Sequence, residues 1–278
     1  MSRIPFGVSR FDGMIGGGAP AGSLVLLAGS PGAGAREFLY TCAVFNGLSK
    51  NDPDLFDLHY GSVAQTAEPP AEVHYVSFSA SGEDIEREIS YTMDEEIVEA
   101  GLAGVQFADL SAEYFQLSPV PRDWYVDEHR SLADLGDASD RRSVVQAFAD
   151  YLDEHAADSL VVVDSLTDLV GDEAYERPWA DVVYLLRGLR KVTRQWGGLV
   201  LCLVSRDALA DTEFGQLMAA VDGTLRFDWA TGGNERVRSM FVQEFRGVLG
   251  RLEADDVVRF ETEIHEAGFD ISNVRKIR

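Results

Sequence analysis

Short apolar runs alternate along the chain with segments whose apolar residues recur at helical spacing. Amphipathic spacing of this kind predicts helices, and the continuous runs predict buried strands. The predicted strands are 23–28, 73–78, 105–108, 160–164 and 199–204. The predicted helices are 37–48, a helix with Ile85, Ile89, Met93 and Ile97 on one side, about 142–155, and 179–196.

This alternation predicts an α/β fold with a mostly parallel central sheet flanked by helices on both faces. The end of the chain differs, because 225–229 and 237–245 flank a turn at 231–234 and predict an antiparallel hairpin that extends the sheet. We expect a single domain over 1–278, with insertions near 52–70 and 111–140. The second insertion carries several aromatic residues, which we expect to pack on their own domain, with a docking surface as the alternative.

A glycine-rich loop directly follows the first predicted strand and precedes the first long helix. Loops of the pattern G-x-x-x-x-G-K-[ST] cradle phosphates with backbone N–H groups, a lysine and a magnesium-binding hydroxyl. The loop here reads Gly29, Ser30, Pro31, Gly32, Ala33, Gly34, Ala35, Arg36. Ala35 stands in the lysine position and Arg36 in the hydroxyl position, so the sequence predicts a degenerate phosphate loop.

Composition narrows the functional classes. The chain has 278 residues, is 46% hydrophobic and carries a formal net charge of -23, which disfavours nucleic acid and anionic membranes as partners. Acidic residues spread along the chain, with very few lysines, favour a salt-rich cytoplasm, and an acidic mesophilic protein is the alternative. Cys42 and Cys202 lie in apolar segments and are expected to be buried thiols. No apolar run approaches the ~20 residues that span a bilayer, and we expect a cytoplasmic protein.

Several motifs in order carry a resemblance to a known family. They are the opening Arg3-Ile4-Pro5-Phe6-Gly7, Phe11-Asp12 and residues 16–23, then the loop at 29–36, the strand that ends at Asp164, and the terminal hairpin. In this order they resemble the KaiC-like branch of the RecA-like P-loop ATPases over most of the chain. With its acidic composition, the chain is most similar to haloarchaeal members of the kind called HTR-like.

The resemblance assigns expected roles to individual residues. Asp164, with Ser165 beside it, matches the aspartate that helps to hold Mg²⁺ in relatives, and we expect it to be the metal residue if Mg²⁺ is bound. Relatives carry two water-activating glutamates after the second strand, where this chain has Ser79 and Ala80. The nearby Glu83 and Asp84 are expected to start a helix.

A further family feature is a lysine-x-arginine pair that reaches the nucleotide of the neighbouring subunit. This chain has Glu244-Phe245-Arg246 at that place. Arg246 is therefore expected either to reach across a subunit interface or to form a surface salt bridge.

Together these losses predict a catalytically degenerate protein that acts as a regulatory, signalling or assembly subunit. We expect it to form a homo-oligomer, or a hetero-oligomer with a related ATPase or signalling protein. Two alternatives stay open at the loop: it binds ATP or ADP, with or without Mg²⁺, or it binds no nucleotide. The competing functions are a weak ATPase and, less favoured by the charge, a DNA-binding recombinase paralogue.

Overall fold

The computed structural model describes residues 2–116, 118–125, 143–169, 179–232 and 235–276. The strands are β1 Arg3–Ile4, β2 Ala19–Pro20, β3 Ser23–Gly29, β4 Val73–Ser77, β5 Val105–Asp109, β6 Leu160–Asp164, β7 Leu199–Ser205, β8 Gly223–Gly232, β9 Glu235–Phe245, β10 Val257–His265 and β11 Gly268–Lys276. The helices of the described residues are α1 Ser9–Ile15, α2 Ala35–Asn51, α3 Pro53–His59, α4 Gly82–Ser90, α5 Glu95–Leu102, α6 Ser111–Phe115, α7 Val144–His155, α8 Trp179–Trp196, α9 Asp211–Ala220 and α10 Leu249–Ala254.

Nine strands form one sheet in the order β11-β10-β9-β8-β3-β7-β6-β4-β5, and β1 pairs separately with β2. The six strands from β8 to β5 are parallel, and β9, β10 and β11 continue the sheet in antiparallel fashion. Every residue of β3 and of β6 is buried. This explains why both strands are continuous apolar runs, since helices cover both faces of a parallel sheet.

Two apolar layers form the core, one on each face of the sheet. Val25 and Leu27 of β3 pack in the layer that includes Phe38 of α2. Leu24 and Leu26, whose side chains alternate to the other face, pack in the layer that includes Leu186 of α8. The predicted α/β class, with its mostly parallel sheet, flanking helices and antiparallel C-terminal strands, is confirmed.

Two sequence predictions need correction. The helix expected to carry Ile85 to Ile97 is two helices. The first, α4, ends at Ser90, and Asp94 caps the start of α5 by accepting a hydrogen bond from the amide of Glu96 at 3.0 Å. The C-terminal region contains a second hairpin, β10–β11, beyond the predicted hairpin β8–β9. Cys42 and Cys202 are buried free thiols, as expected.

The two insertions differ in how much of each is described. In residues 52–70, Asp52 caps α3 and Phe56 is buried, so this segment packs on the core. In residues 111–140, Phe115 lies 5.5 Å from Tyr125 between ring centroids, and the side chain of Trp124 is 79% exposed. The rest of that insertion, 126–140, lies outside the described residues.

Among the helices that the structure describes, none combines the length and apolar composition needed to cross a bilayer.

A buried carboxylate ties the N-terminal segment to the core. Asp12 is 1% exposed and accepts hydrogen bonds from the amides of Phe6 and Gly7 at 2.9 and 3.0 Å and from the hydroxyl of Tyr60 at 3.1 Å. Burial raises the pKa of Asp12 to about 7, although these hydrogen bonds oppose the rise. Its protonation is therefore linked to folding.

This linkage predicts how stability depends on pH. Between about pH 4 and 7 the folded chain retains the Asp12 proton that the unfolded chain has released, so this group contributes less stability as pH rises through that window, by up to about 4 kcal/mol. In denaturant titrations, the unfolding free energy of the wild type should fall relative to that of Asp12→Asn, whose side chain stays neutral, as pH is raised from 5 to 8. If the unfolding free energy of the wild type stays constant or rises relative to that of Asp12→Asn over this pH range, the raised pKa of Asp12 is contradicted.

Candidate phosphate-loop site

The glycine-rich loop lies at the carboxyl end of β3 and leads directly into α2. Gly32 and Gly34 have φ values of 71° and 103°, a backbone conformation that favours glycine. A cleft of about 420 Å³ opens beside the loop and is also lined by Ser165, Asp168 and Ser205, which follow or end β6 and β7. The sheet therefore brings the loop close to the carboxyl ends of the neighbouring strands, which is where open α/β sheets bind ligands.

Side chains of the β8–β9 hairpin hold the outer side of the loop. The indole N–H of Trp229 donates to the carbonyl of Pro31 at 3.0 Å, and Nε of Arg238 donates to the carbonyl of Gly32 at 2.9 Å. The guanidinium groups of Arg236 and Arg238 lie 4.3 and 4.9 Å from the Trp229 ring centroid. The carbonyl groups of Pro31 and Gly32 are thus bonded to the hairpin.

Most of the amide groups of the loop, unlike the carbonyl groups of Pro31 and Gly32, have no hydrogen-bond partner among the described residues. Ala33 donates to the carbonyl of Ser30 at 3.0 Å. Within the described ranges, no backbone or side-chain acceptor takes the amide protons of Gly32, Gly34, Ala35 or Arg36. Free amides at a helix N-terminus are the groups with which such loops bind anions.

Ala35 and Arg36 have contrasting surroundings. Ala35 is 6% exposed and brings no charge to the loop. Arg36 turns across the edge of the sheet, and its Nη2 donates to Oδ1 of Asp164 at 3.0 Å. The arginine is half exposed, whereas Asp164 is 5% exposed. Two residues that the sequence assigned to separate motifs, the loop and the end of β6, therefore form a direct ion pair.

The second oxygen of Asp164 is also occupied. Oδ2 accepts a hydrogen bond from the hydroxyl of the buried Tyr75 at 2.8 Å. On the other side of the guanidinium, Nη1 of Arg36 lies 3.9 Å from Glu88, which accepts a hydrogen bond from the Tyr40 hydroxyl at 2.6 Å. Arg36 is thus placed between two carboxylates, of which Asp164 is the nearer and more buried.

The protonation equilibria of this group reflect burial and mutual charge. Burial raises the pKa of Asp164 above its usual range, while the Arg36 charge and the Tyr75 hydrogen bond oppose that rise. Burial acts to lower the pKa of Arg36, but Asp164, together with Tyr40, Tyr75 and Glu88, outweighs burial and raises the pKa above its usual value. The pKa of Tyr75 is raised by its burial and by the Asp164 charge, which keeps it a hydrogen-bond donor.

These residues do not fit Mg²⁺ as they stand. Mg²⁺ requires oxygen ligands in near-octahedral geometry at about 2.0–2.1 Å. Position 36 supplies a cation instead of a hydroxyl, and both oxygens of Asp164 already accept hydrogen bonds, from Arg36 and Tyr75. A metal ion beside Asp164 would also meet the positive charge of Arg36.

Ser165, Ser79 and Asp84 are the next residues that the sequence singled out. Ser165 lines the cleft, and its amide donates to Asp168 at 3.3 Å. The hydroxyl of Ser79, at one of the positions where relatives have a glutamate, donates to the same carboxylate at 3.4 Å. Burial raises the pKa of Asp168. Asp84 forms a capping box with Ser81, which confirms its expected role at a helix start.

Arg246 is separated from the loop. It follows β9, whose last residue pairs with Gly223 at the start of β8. Arg246 therefore lies near the amino ends of the parallel strands, whereas Gly29 lies at the carboxyl end of β3. Its Nη1 is 3.9 Å from Asp222, and its side chain is 59% exposed. The structure therefore places Arg246 outside the cleft of its own chain and in a long surface ion pair.

The sequence did not predict the residues that contact the loop and Asp164 from distant parts of the chain. Tyr75 shares a face of the sheet with Asp164 because Ser77 of β4 pairs with Asp164 of β6, but this pairing of distant strands is visible only in the structure. Trp229 and Arg238 likewise had no local signal, since their bonds to the loop span about 200 residues of chain.

The ion pair predicts an energetic coupling. In a double-mutant cycle with Arg36→Met and Asp164→Asn, we expect a coupling of about 1–2 kcal/mol, because one partner is buried. The matched control is the exposed pair Arg87–Asp84, for which Arg87→Met and Asp84→Asn should couple by at most about 0.5 kcal/mol. Denaturant unfolding of each set measures both values, and equal couplings in the two cycles would refute the buried pairing.

Comparisons with known proteins agree with this architecture. No protein-family model matches the chain. A curated relative from Aeropyrum pernix, described as a UPF0273 protein, is 25% identical over 252 residues, which cover 89% of this chain and 86% of that protein. Among solved structures, KaiC-like protein PH0186 from Pyrococcus horikoshii is similar with a TM-score of 0.61 and 16% identity, over 98% of this chain and 99% of that chain. The chain thus has the RecA-like α/β fold of a KaiC-like protein.

Proposed function

We propose that this chain is a KaiC-like P-loop protein that serves as a regulatory, signalling or assembly subunit and does not hydrolyse ATP efficiently. The observation that carries the proposal is the ion pair between Arg36 and Asp164. It occupies the two positions from which a P-loop ATPase of the resembled family would hold its metal ion. The fold, shared with a KaiC-like protein, supports the family relationship.

The missing groups bear directly on phosphoryl transfer. That reaction depends on positioning and on stabilising the charge of the transferring group, and one arginine finger contributes about three to five decades in rate. Ala35 offers no charge to a phosphate, and Arg36 is engaged with Asp164. Positions 79 and 80 carry no carboxylate that could activate a water molecule. Losses at independent parts of the reaction support a non-catalytic role.

Hydrolysis assays test this proposal directly. Purified protein in molar KCl with ATP and Mg²⁺ should release phosphate at the background rate, because the charge-stabilising groups are absent. Asp164→Asn should give the same background, since the wild-type residue supports no turnover. Phosphate release that is well above background in the wild type and is lost in Asp164→Asn would refute the proposal and favour a weak ATPase.

A subunit role requires contact with other chains. The loop lies at the carboxyl ends of the parallel strands, and Arg246 lies near their amino ends. The side chain of Arg246 is exposed, although it forms a long ion pair with Asp222. A head-to-tail assembly joins two different surfaces of neighbouring subunits. A contact between Arg246 and the loop region of a neighbour is of this kind. The neighbour is a second copy or a related ATPase.

Mass photometry tests this contact. The wild type in molar KCl should give a species larger than the monomer, alone or after addition of a related ATPase. Arg246→Ala should shift the distribution towards monomer, because it removes the exposed charge at that edge. Arg275→Ala, which changes an arginine paired with Glu261 on the last hairpin, should leave the distribution unchanged. A wild-type monomer under both conditions would contradict the subunit role.

The setting in which the subunit acts is part of the same proposal. A net charge of -23 produces strong self-repulsion at low ionic strength. Salt at molar concentration reduces the Debye length to about 3 Å and relieves that repulsion. This supports a haloarchaeal protein that works in a salt-rich cytoplasm.

A further inference from the structure

The candidate site contains a cation that belongs to the protein itself. The guanidinium of Arg36 lies between the loop and Asp164, at 3.0 Å from the carboxylate. We propose that Arg36 replaces the metal ion, so that the loop binds a nucleoside phosphate as the metal-free anion. This inference rests on the proposed function, since it describes the ligand of the same site.

The geometry leaves much of the guanidinium available to a ligand. Only Nη2 bonds to Asp164, and half of the Arg36 side chain is exposed. Arg36 also lines the cleft beside the loop. A guanidinium presents five donors in a planar fork and binds phosphate oxygens in a bidentate manner. Arg36 can therefore bind Asp164 and a phosphate oxygen at the same time, as a bridging cation does.

The rest of the loop is prepared for an anion without a metal ion. The amides of Gly32, Gly34, Ala35 and Arg36 have no acceptor among the described residues. The hairpin residue Trp229 and its neighbour Arg238 bond to the loop carbonyls, so the loop conformation depends on the protein and not on a coordinated cation. A preformed set of amides at the N-terminus of α2 then favours a phosphate group.

The charges around the loop agree with a metal-free ligand. Arg236 and Arg238 flank Trp229, which bonds to the loop, and add positive potential near the loop. Within the cleft, Glu37 and Asp168 oppose an anion. The side-chain cations therefore have to neutralise the phosphates directly, and Arg36 is the one that reaches the position between the loop and β6.

Calorimetric titration separates metal-free from metal-dependent binding. ADP and a non-hydrolysable ATP analogue are titrated into the full chain in molar KCl, once with excess Mg²⁺ and once with EDTA. We expect wild-type dissociation constants that agree within about twofold between the two conditions, a difference of about 0.4 kcal/mol. Binding that is tenfold or more tighter with Mg²⁺, or the absence of binding under both conditions, overturns the inference.

Variants at position 36 connect the result to the guanidinium. Arg36→Ser should weaken binding in EDTA at least about tenfold, because it removes the bridging charge. Added Mg²⁺ should then restore part of the affinity, since a hydroxyl beside Asp164 suits a metal ion. Arg36→Lys keeps a charge but lacks the planar fork, and should bind more weakly than the wild type without gaining a response to Mg²⁺. Unchanged affinity in both variants would overturn the role of Arg36.

Controls keep the test independent of folding and of turnover. Arg275→Ser, at an exposed ion pair on the last hairpin, should bind like the wild type. Circular dichroism shows whether each variant is folded. Because ADP and the analogue are not hydrolysed, metal dependence in these titrations overturns only the inference, whereas rapid phosphate release from ATP overturns the proposed function.

Discussion

The ion pair between Arg36 and Asp164 is the interaction on which the character of the site depends. It joins the first turn of α2 to the end of β6, and so connects the loop with the carboxyl end of that strand. A buried carboxylate needs a compensating charge and hydrogen bonds, which Arg36 and Tyr75 supply from within the chain. The protein thus satisfies by itself the carboxylate that the resembled ATPases use for a metal ion.

The antiparallel half of the sheet completes this arrangement. The β8–β9 hairpin extends past the loop, and Trp229 and Arg238 bond to the carbonyls of Pro31 and Gly32. The hairpin therefore holds the backbone of the glycine-rich loop at Pro31 and Gly32.

Much of the fold was predictable because apolar runs such as β3 and β6 are buried on both faces and therefore lack polar residues. The strand β10 was not predicted, although its charged residues alternate with Phe260, Thr262 and Ile264, a pattern that is typical of a half-buried strand. The loop and its missing lysine were visible in the sequence, but the direction of Arg36 was not. That direction depends on the pairing of distant strands, which brings Tyr75 and Asp164 together. Hydrogen bonds between residues far apart in sequence leave no local pattern.

A crystal structure of the protein grown with ADP and Mn²⁺ would show whether Arg36 or a metal ion lies beside Asp164, because manganese gives an anomalous signal at a divalent-cation site. We expect the Arg36 guanidinium against Asp164, with a phosphate group on the loop amides and no manganese peak beside the carboxylate. A manganese ion coordinated by Asp164, with Arg36 turned out of the site, would contradict it.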